Sequence, residues 1–330
     1  MLAGMSRVFG IFAVLVVTLG HDLAAVPLGP ITSDFRSWLQ RNGYAHYRFD
    51  RTEFGQLGSY GGRTKRFEEI EKTPVIFTHG NSDGALDNGD AYGTGWSKSI
   101  AFFTKHGYHS SELYATTWGD RNVRNALTRT HSCEDMIYLR KFIEAVLKYT
   151  GAKKVNVVAH SMGVTLARPI IKGLTVWDHN GKACHLGGPI NHRISNFIAI
   201  SGANYGLCAC ADERMANIGT CDKKTGFWPG RSCGGGGKCG THRGPICDLI
   251  DYSSVLQRAN DDDTKEADTT FALWSTKDEI LLNGNFVYGR HTSEFPALDN
   301  RMIFHNLTHM QTKDETVNVQ LKWIQGNRLF

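Results

Sequence analysis

Beyond its first twenty residues, this sequence has no apolar run approaching the roughly 20 residues that a membrane-spanning helix needs. It has no internal repeats, and the only low-complexity tract is the glycine run at 234–237. These absences exclude a membrane bundle and a repeat array. Charge of one sign is scarce too. The formal net charge of +5 over 330 residues is small and dispersed, which argues against a nucleic-acid partner and permits at most a mild preference for anionic interfaces. The paired C-x-x-C spacing of tetrahedral zinc sites is missing, so no metal is expected.

What is present begins with a leader. Arg7 precedes VFGIFAVLVVTLG, a short apolar stretch closed by small residues. That pattern reads as a secretory signal peptide over 1–20, cut near Gly20, and it predicts an exported chain with its folded domain in 21–330. The run is too short for a membrane anchor. The eight cysteines fit the same compartment. Cys208, Cys210, Cys221, Cys233, Cys239 and Cys247 crowd into a glycine-rich stretch, while Cys133 and Cys184 stand apart. An even count in an oxidising compartment predicts disulfides. The pairing within the cluster stays open, and Cys133 with Cys184 is the pair left over.

Apolar runs predict buried strands at 74–79, 112–118, 154–160, 196–201 and 271–275. Helical patterns lie between them. The stretch 96–108 ends at a glycine, and 132–151 starts at a capping Ser132 and stops at Gly151, with Leu139, Ile143, Val146 and Leu147 along one face. Strands alternating with helices predict an α/β domain: a mostly parallel sheet flanked by helices. From 205 to 268 the rhythm breaks into Cys-, Gly- and Asp-rich sequence, read as a disulfide-stapled insertion and not a second core. Its Asp261–Asp263 run reads as solvated.

KVNVVAHSMGV (154–164) places one serine at the end of a buried strand and the start of an apolar helix. A serine hydroxyl becomes a nucleophile only when a base takes its proton and the backbone presents it clear of the sheet. A strand-to-helix elbow does this, and its tightness requires small residues two before and two after, here Ala159 and Gly163 around Ser161. The alternative is a turn serine that bonds only backbone. FTHGNSDG (77–84) follows the first strand, and its turn offers the Asn81 N–H to a developing oxyanion. The Met162 N–H, directly after the serine, is the second donor. His79 reads as a structural histidine bonding that turn. In such folds the acid and then the histidine follow the nucleophile in the chain. Asp278, just past the strand at 271–275, is the acid, with Glu279 as its neighbouring rival. RMIFHNLTHM (301–310) offers His305 and His309, and His309 is preferred because it lies nearer the closing helix, on which Val317, Leu321 and Ile324 face inward.

Taken together, GSYGG (58–62), TPVIFTHGNSDGAL (73–86), ELYATTWGD (112–120), VNVVAHSMGV (155–164), ISGANYG (200–206), TGFWPG (225–230), STKDEI (275–280) and HNLTHMQTKDET (305–316) resemble the class 2 lipases of the α/β-hydrolase fold. The chain is most similar to the secreted lipases of nematodes and, more distantly, to small bacterial lipases with Ala-x-Ser-x-Gly. The resemblance covers about 30–328. It implies Ser161, Asp278 and His309 as nucleophile, acid and base, with Asn81 and Met162 as the oxyanion hole. It also implies hydrolysis of carboxylic esters of lipids, acylglycerols first, without a cofactor. The implied partner is a lipid ester or a lipid–water interface, and no protein partner is evident. Other readings are a carboxylesterase or phospholipase, or an inactive secreted lipid-binding protein. Phe227 and Trp228 in TGFWPG are expected either to meet lipid or roof the acyl groove as an aromatic tip, or to anchor the insertion on the domain. A glycan on the Asn306 sequon would crowd the site entrance, which argues against its occupancy.

Overall fold

The computed structural model describes residues 26–230, 238–240 and 252–326. The expected leader at 1–20 lies outside them, as do Cys233 and Cys247. The strands, in chain order, are β1 (Ser59–Tyr60), β2 (Val75–Thr78), β3 (Leu113–Thr116), β4 (Val155–His160), β5 (Thr175–Trp177), β6 (Ala183–His185), β7 (Ile194–Ile200), β8 (Thr269–Ser275), β9 (Phe286–Val287), β10 (Arg290–His291) and β11 (Asn300–Phe304). Seven of them form one sheet in the order β1-β3-β2-β4-β7-β8-β11. Every neighbouring pair in it is parallel except β1 with β3. β5–β6 and β9–β10 are separate antiparallel ribbons.

The helices are α1 (Ser33–Arg41), α2 (Ser97–Lys105), α3 (Cys133–Thr150), α4 (Met162–Lys172), α5 (Ser254–Asp261), α6 (Gln311–Asp314) and α7 (Val317–Ile324). Because side chains alternate across a strand, the sheet has two apolar faces. Val157, Ala159, Phe197, Ala199 and Trp274 pack with α1, α3, α4 and α5. Val75, Phe77, Val158, Ile198 and Leu273 pack with α2 and α7. The result is an α/β-hydrolase architecture. α3 starts where the sequence places it: Ser132 Oγ accepts the Asp135 N–H at 3.0 Å, and Gly151 stops the helix with φ 70°. On α7 the buried apolar residues are Val319, Leu321, Trp323 and Ile324, while Val317 is only half-buried.

Within 205–268 the chain forms short 3-10 turns and then α5. Cys210, Cys221, Phe227, Tyr252, Val255, Leu256 and Ala259 belong to the same apolar cluster as α3 and α4. Among the described residues three disulfides are formed: Cys133–Cys184, Cys208–Cys239 and Cys210–Cys221. The first ties the start of α3 to β6, and the other two hold the insertion. Of the readings given for Phe227 and Trp228, a tip that meets lipid is the one their burial opposes. The two residues are 4% and 5% exposed, so neither presents a surface to lipid. Phe227 meets the His131 ring edge-on at 4.9 Å, and Trp228 lies beneath Lys223 at 4.7 Å. Phe227 thereby joins the apolar cluster of α3 and α4. Asp261 closes α5, and Asp261 and Asp263 are exposed, as the solvated reading of that run expects. Asp262 engages Lys172 through its carbonyl at 2.6 Å.

Candidate active site

The parallel sheet brings the candidate groups to one edge, beyond the carboxyl ends of β2, β4, β8 and β11. Ser161 stands between β4 and α4 with φ 55° and ψ −127°, a conformation that non-glycine residues rarely adopt. The chain turns there from strand to helix in a single residue. The surrounding packing shows why the flanking residues are small. A Cβ on Gly163 would lie 2.4 Å from the His79 carbonyl oxygen and 2.5 Å from that of Thr78. A Cβ on Gly80 would lie 2.8 Å from the Ser161 Cβ. The end of β2 therefore presses directly against the serine.

The turn that follows β2 closes with the Asp83 N–H donating to the Gly80 carbonyl at 3.3 Å, and Ser82 takes φ 62° within it. Asn81 sits in this turn. Its side-chain amide donates to the Ala126 carbonyl at 2.9 Å, which fixes the residue without using its backbone N–H. Met162 is the first residue of α4, where the intrahelical pattern leaves an N–H without a partner. His79 is buried and locked in one tautomer. Its Nδ1–H donates to the Gly80 carbonyl at 2.8 Å, and its Nε2 accepts the Trp118 N–H at 3.0 Å. Burial holds this imidazole down to about 3 against the opposing pull of Asp83.

Asp278 and His309 meet directly. His309 Nδ1 lies 2.7 Å from Asp278 Oδ2, and both side chains are buried. The other carboxylate oxygen accepts the N–H groups of Ile280 and Leu281, each at 2.9 Å. Burial alone would raise the Asp278 carboxyl, but His309 and those two N–H groups hold it below its ordinary value. Nδ1 is thereby committed to the carboxylate, which leaves Nε2 for a second partner. Among the described residues no hydrogen bond joins His309 to Ser161. The His309 ring instead packs 4.6 Å from that of His160, the residue before the serine. His160 Nε2–H donates to the His309 carbonyl at 3.1 Å, and burial followed by the nearby His309 charge keeps His160 well below its ordinary value.

The rivals occupy other positions. His305 is exposed and pairs with the Thr276 hydroxyl at 3.1 Å. Glu279 accepts the backbone N–H of His309 at 2.9 Å, so it fixes the main chain and leaves the ring to Asp278. Sequence reasoning treated Glu279 only as a competing acid, and it gave no role to His160, Asp83 or Lys313. Among the described residues, no group of three or more His, Cys, Asp or Glu side chains is arranged to hold a metal ion. No helix among them is long and apolar enough to cross a membrane.

Comparison with known proteins adds the family. The mature form of the Bacillus licheniformis lipase BlEst2 is 14% identical over 81% of this chain and 97% of its own, with a TM-score of 0.49. A monoacylglycerol lipase of Paleococcus ferrophilus is 15% identical over 78% of this chain and 97% of its own, with a TM-score of 0.41. An extracellular α/β-hydrolase of a Paenibacillus species is 10% identical over 76% and 98%, with a TM-score of 0.44. The family model described as Lipase (class 2) matches residues 72–322, a span that takes in every candidate site residue from Asn81 to His309. The chain belongs to the class 2 lipase family and is a hydrolase acting on esters.

Proposed function

We propose that this chain is a secreted serine lipase that hydrolyses carboxylic ester bonds of lipids, acylglycerols first, with Ser161 as nucleophile, His309 as base and Asp278 as the acid that orients it. The observation that carries this reading is the buried 2.7 Å contact between His309 Nδ1 and Asp278, on the loops beside the strained Ser161 elbow. Ser161 Oγ attacks the ester carbonyl carbon, and its proton passes to His309 Nε2. Asp278 stabilises the imidazolium so formed. The negative oxygen of the tetrahedral intermediate is held by the Asn81 and Met162 N–H groups. The carbon–oxygen bond to the alcohol then breaks, and His309 returns its proton to the departing alcohol. Water repeats the sequence on the acyl-enzyme, giving up its proton to His309, and Ser161 regains a hydrogen as the acid leaves.

An aggregated lipid substrate is supported by the apolar side chains around the candidate site. Val123 and Leu127 are 61% and 58% exposed. They sit on the 3-10 segment Val123–Thr128, which accepts the Asn81 side-chain amide at Ala126. Ile280 and Leu282, also exposed, lie on the segment that follows Asp278. Export is supported by the apolar leader and by the three disulfides. The reading is tested with Ser161→Ala and His309→Ala, each expected to lower kcat by more than about 1000-fold with the fold intact. Asp278→Asn is expected to be milder. Retained turnover by Ser161→Ala, or His305→Ala inactive beside an active His309→Ala, would refute it.

A further inference from the structure

Asp83 and Lys313 form an ion pair at 2.6 Å with 1% and 0% of their surfaces exposed. Removing two charges from water is costly, and apolar residues of similar volume commonly give equal or greater stability. Stability alone therefore does not explain the pair, and its position does. Asp83 is the fourth residue of the turn that carries Asn81, closed by its own N–H on the Gly80 carbonyl. Its second carboxylate oxygen accepts the N–H groups of Gly84 and Gly95, each at 2.8 Å. The residue is held at every oxygen. Lys313 lies on α6, the single turn that follows His309. There the Thr312 N–H donates to the Thr308 carbonyl at 3.0 Å, the Lys313 N–H donates to the Met310 carbonyl at 3.1 Å, and the Thr312 hydroxyl donates back to the His309 carbonyl at 2.5 Å. A shift of Lys313 is passed along this wound segment to His309.

Resting on the triad reading above, we propose that Asp83 and Lys313 are positioning residues whose ion pair holds the oxyanion turn in register with the loop bearing the base. The two residues lie 230 apart in sequence, in segments that follow different strands, β2 and β11. The oxyanion N–H and the base must act on one substrate carbon at the same moment. A displacement of about 1 Å between such groups costs on the order of 100-fold in rate.

The experiment measures steady-state hydrolysis of p-nitrophenyl butyrate by Asp83→Asn, Lys313→Met and the double variant, with Ser161→Ala and His309→Ala in parallel and folding followed by circular dichroism. The double variant leaves no unpaired buried charge, so it remains informative where either single variant fails to fold. The expected result is kcat lowered roughly 10- to 100-fold in the double variant, with KM within about threefold of wild type. Where the single variants fold, the double is expected to be no slower than the slower of them, because the two residues act as one unit. A folded double variant with wild-type kcat overturns the inference, and so does a loss confined to KM. Additive losses overturn it too, as does a double variant that does not fold, since the pair would then serve the fold alone. If Ser161→Ala or His309→Ala keeps turnover, the triad reading itself has failed, whatever the ion pair does.

Discussion

Acid should weaken this fold well before it protonates the carboxylates, and the buried histidines set the size of the effect. Burial holds His79 down to about 3 and His131 down to about 4. Burial is the main cause at both, and at His79 the hydrogen-bond geometry adds to it. His79 Nε2 already receives the Trp118 N–H, so protonation would set two donors against each other. At His131, whose Nδ1 donates to the Thr225 carbonyl at 2.8 Å, burial outweighs that contact, which by itself favours the charged form. In the unfolded chain both would titrate near 6.5. The unfolded state therefore gains protons as pH falls through about 6.5, while the folded state gains none until about 4 or lower. The stability these groups contribute is complete above the unfolded value and drains away as pH falls toward the folded one. Between about pH 7 and pH 5 the loss is about 2 kcal/mol for each histidine, or about 4 kcal/mol for the two. That is a large share of the 5–15 kcal/mol typical of a folded domain. His160, also pushed down, acts in the same direction. Urea unfolding at a series of pH values measures this directly. His131→Gln, which keeps a hydrogen-bonding side chain but cannot titrate, is expected to flatten the profile by about 2 kcal/mol over the same interval. A wild-type midpoint that does not move between about pH 7 and pH 5 would refute the reasoning.

The exposed apolar side chains and the buried aromatics give opposite expectations. Burying an apolar side chain of this size contributes about 1.5–3 kcal/mol, so Val123→Ser with Leu127→Ser should weaken attachment to a triacylglycerol emulsion on the order of 100-fold. Hydrolysis of a soluble short-chain ester should stay within about twofold. Equal losses on both substrates would place these residues in the fold and not at the interface. Phe227→Ala removes a core aromatic and should cost about 3–5 kcal/mol of stability, lowering activity on emulsion and soluble ester alike. A selective loss on the emulsion, with an unchanged melting temperature, would restore the aromatic tip.

The sheet is most legible where its strands are buried on both faces. β2, β3 and β4 are short apolar runs with every residue buried, and their pattern cannot be mistaken for a surface. β11 escapes because it is the edge strand: Asn300 and Arg301 are exposed and the rest only half-buried, so the apolar run that marks its neighbours is missing. α5 escapes for a different reason. Its buried Val255, Leu256 and Ala259 sit among Asn and Asp, in a segment whose composition reads as loop. At the candidate site, local signals suffice for the strand-to-helix turn at Ser161 between Ala159 and Gly163, because steric limits on a tight turn are written in adjacent residues. They did not suffice for Asp83 and Lys313. Each looks like a surface charge until the fold brings them together, and nothing near either residue marks the other. Phe227 and Trp228 fail in the same way, since an aromatic pair in a glycine-rich loop reads identically whether it points to water or to the core.

The order of strands in the sheet has a consequence for the making of the protein. With the roles proposed above, nucleophile and oxyanion donors come from β2 and β4, while acid and base follow β8 and β11. A chain leaving the ribosome thus holds its serine and its oxyanion turn long before it holds anything to deprotonate the serine. Among the described residues β11 follows every other strand and forms the sheet's edge, so His309 reaches its place only after the strands that carry the serine and the oxyanion turn are made. Under those roles, a chain that has made β4 but not yet β11 is an inert one, and ester cleavage waits on the docking of the edge strand.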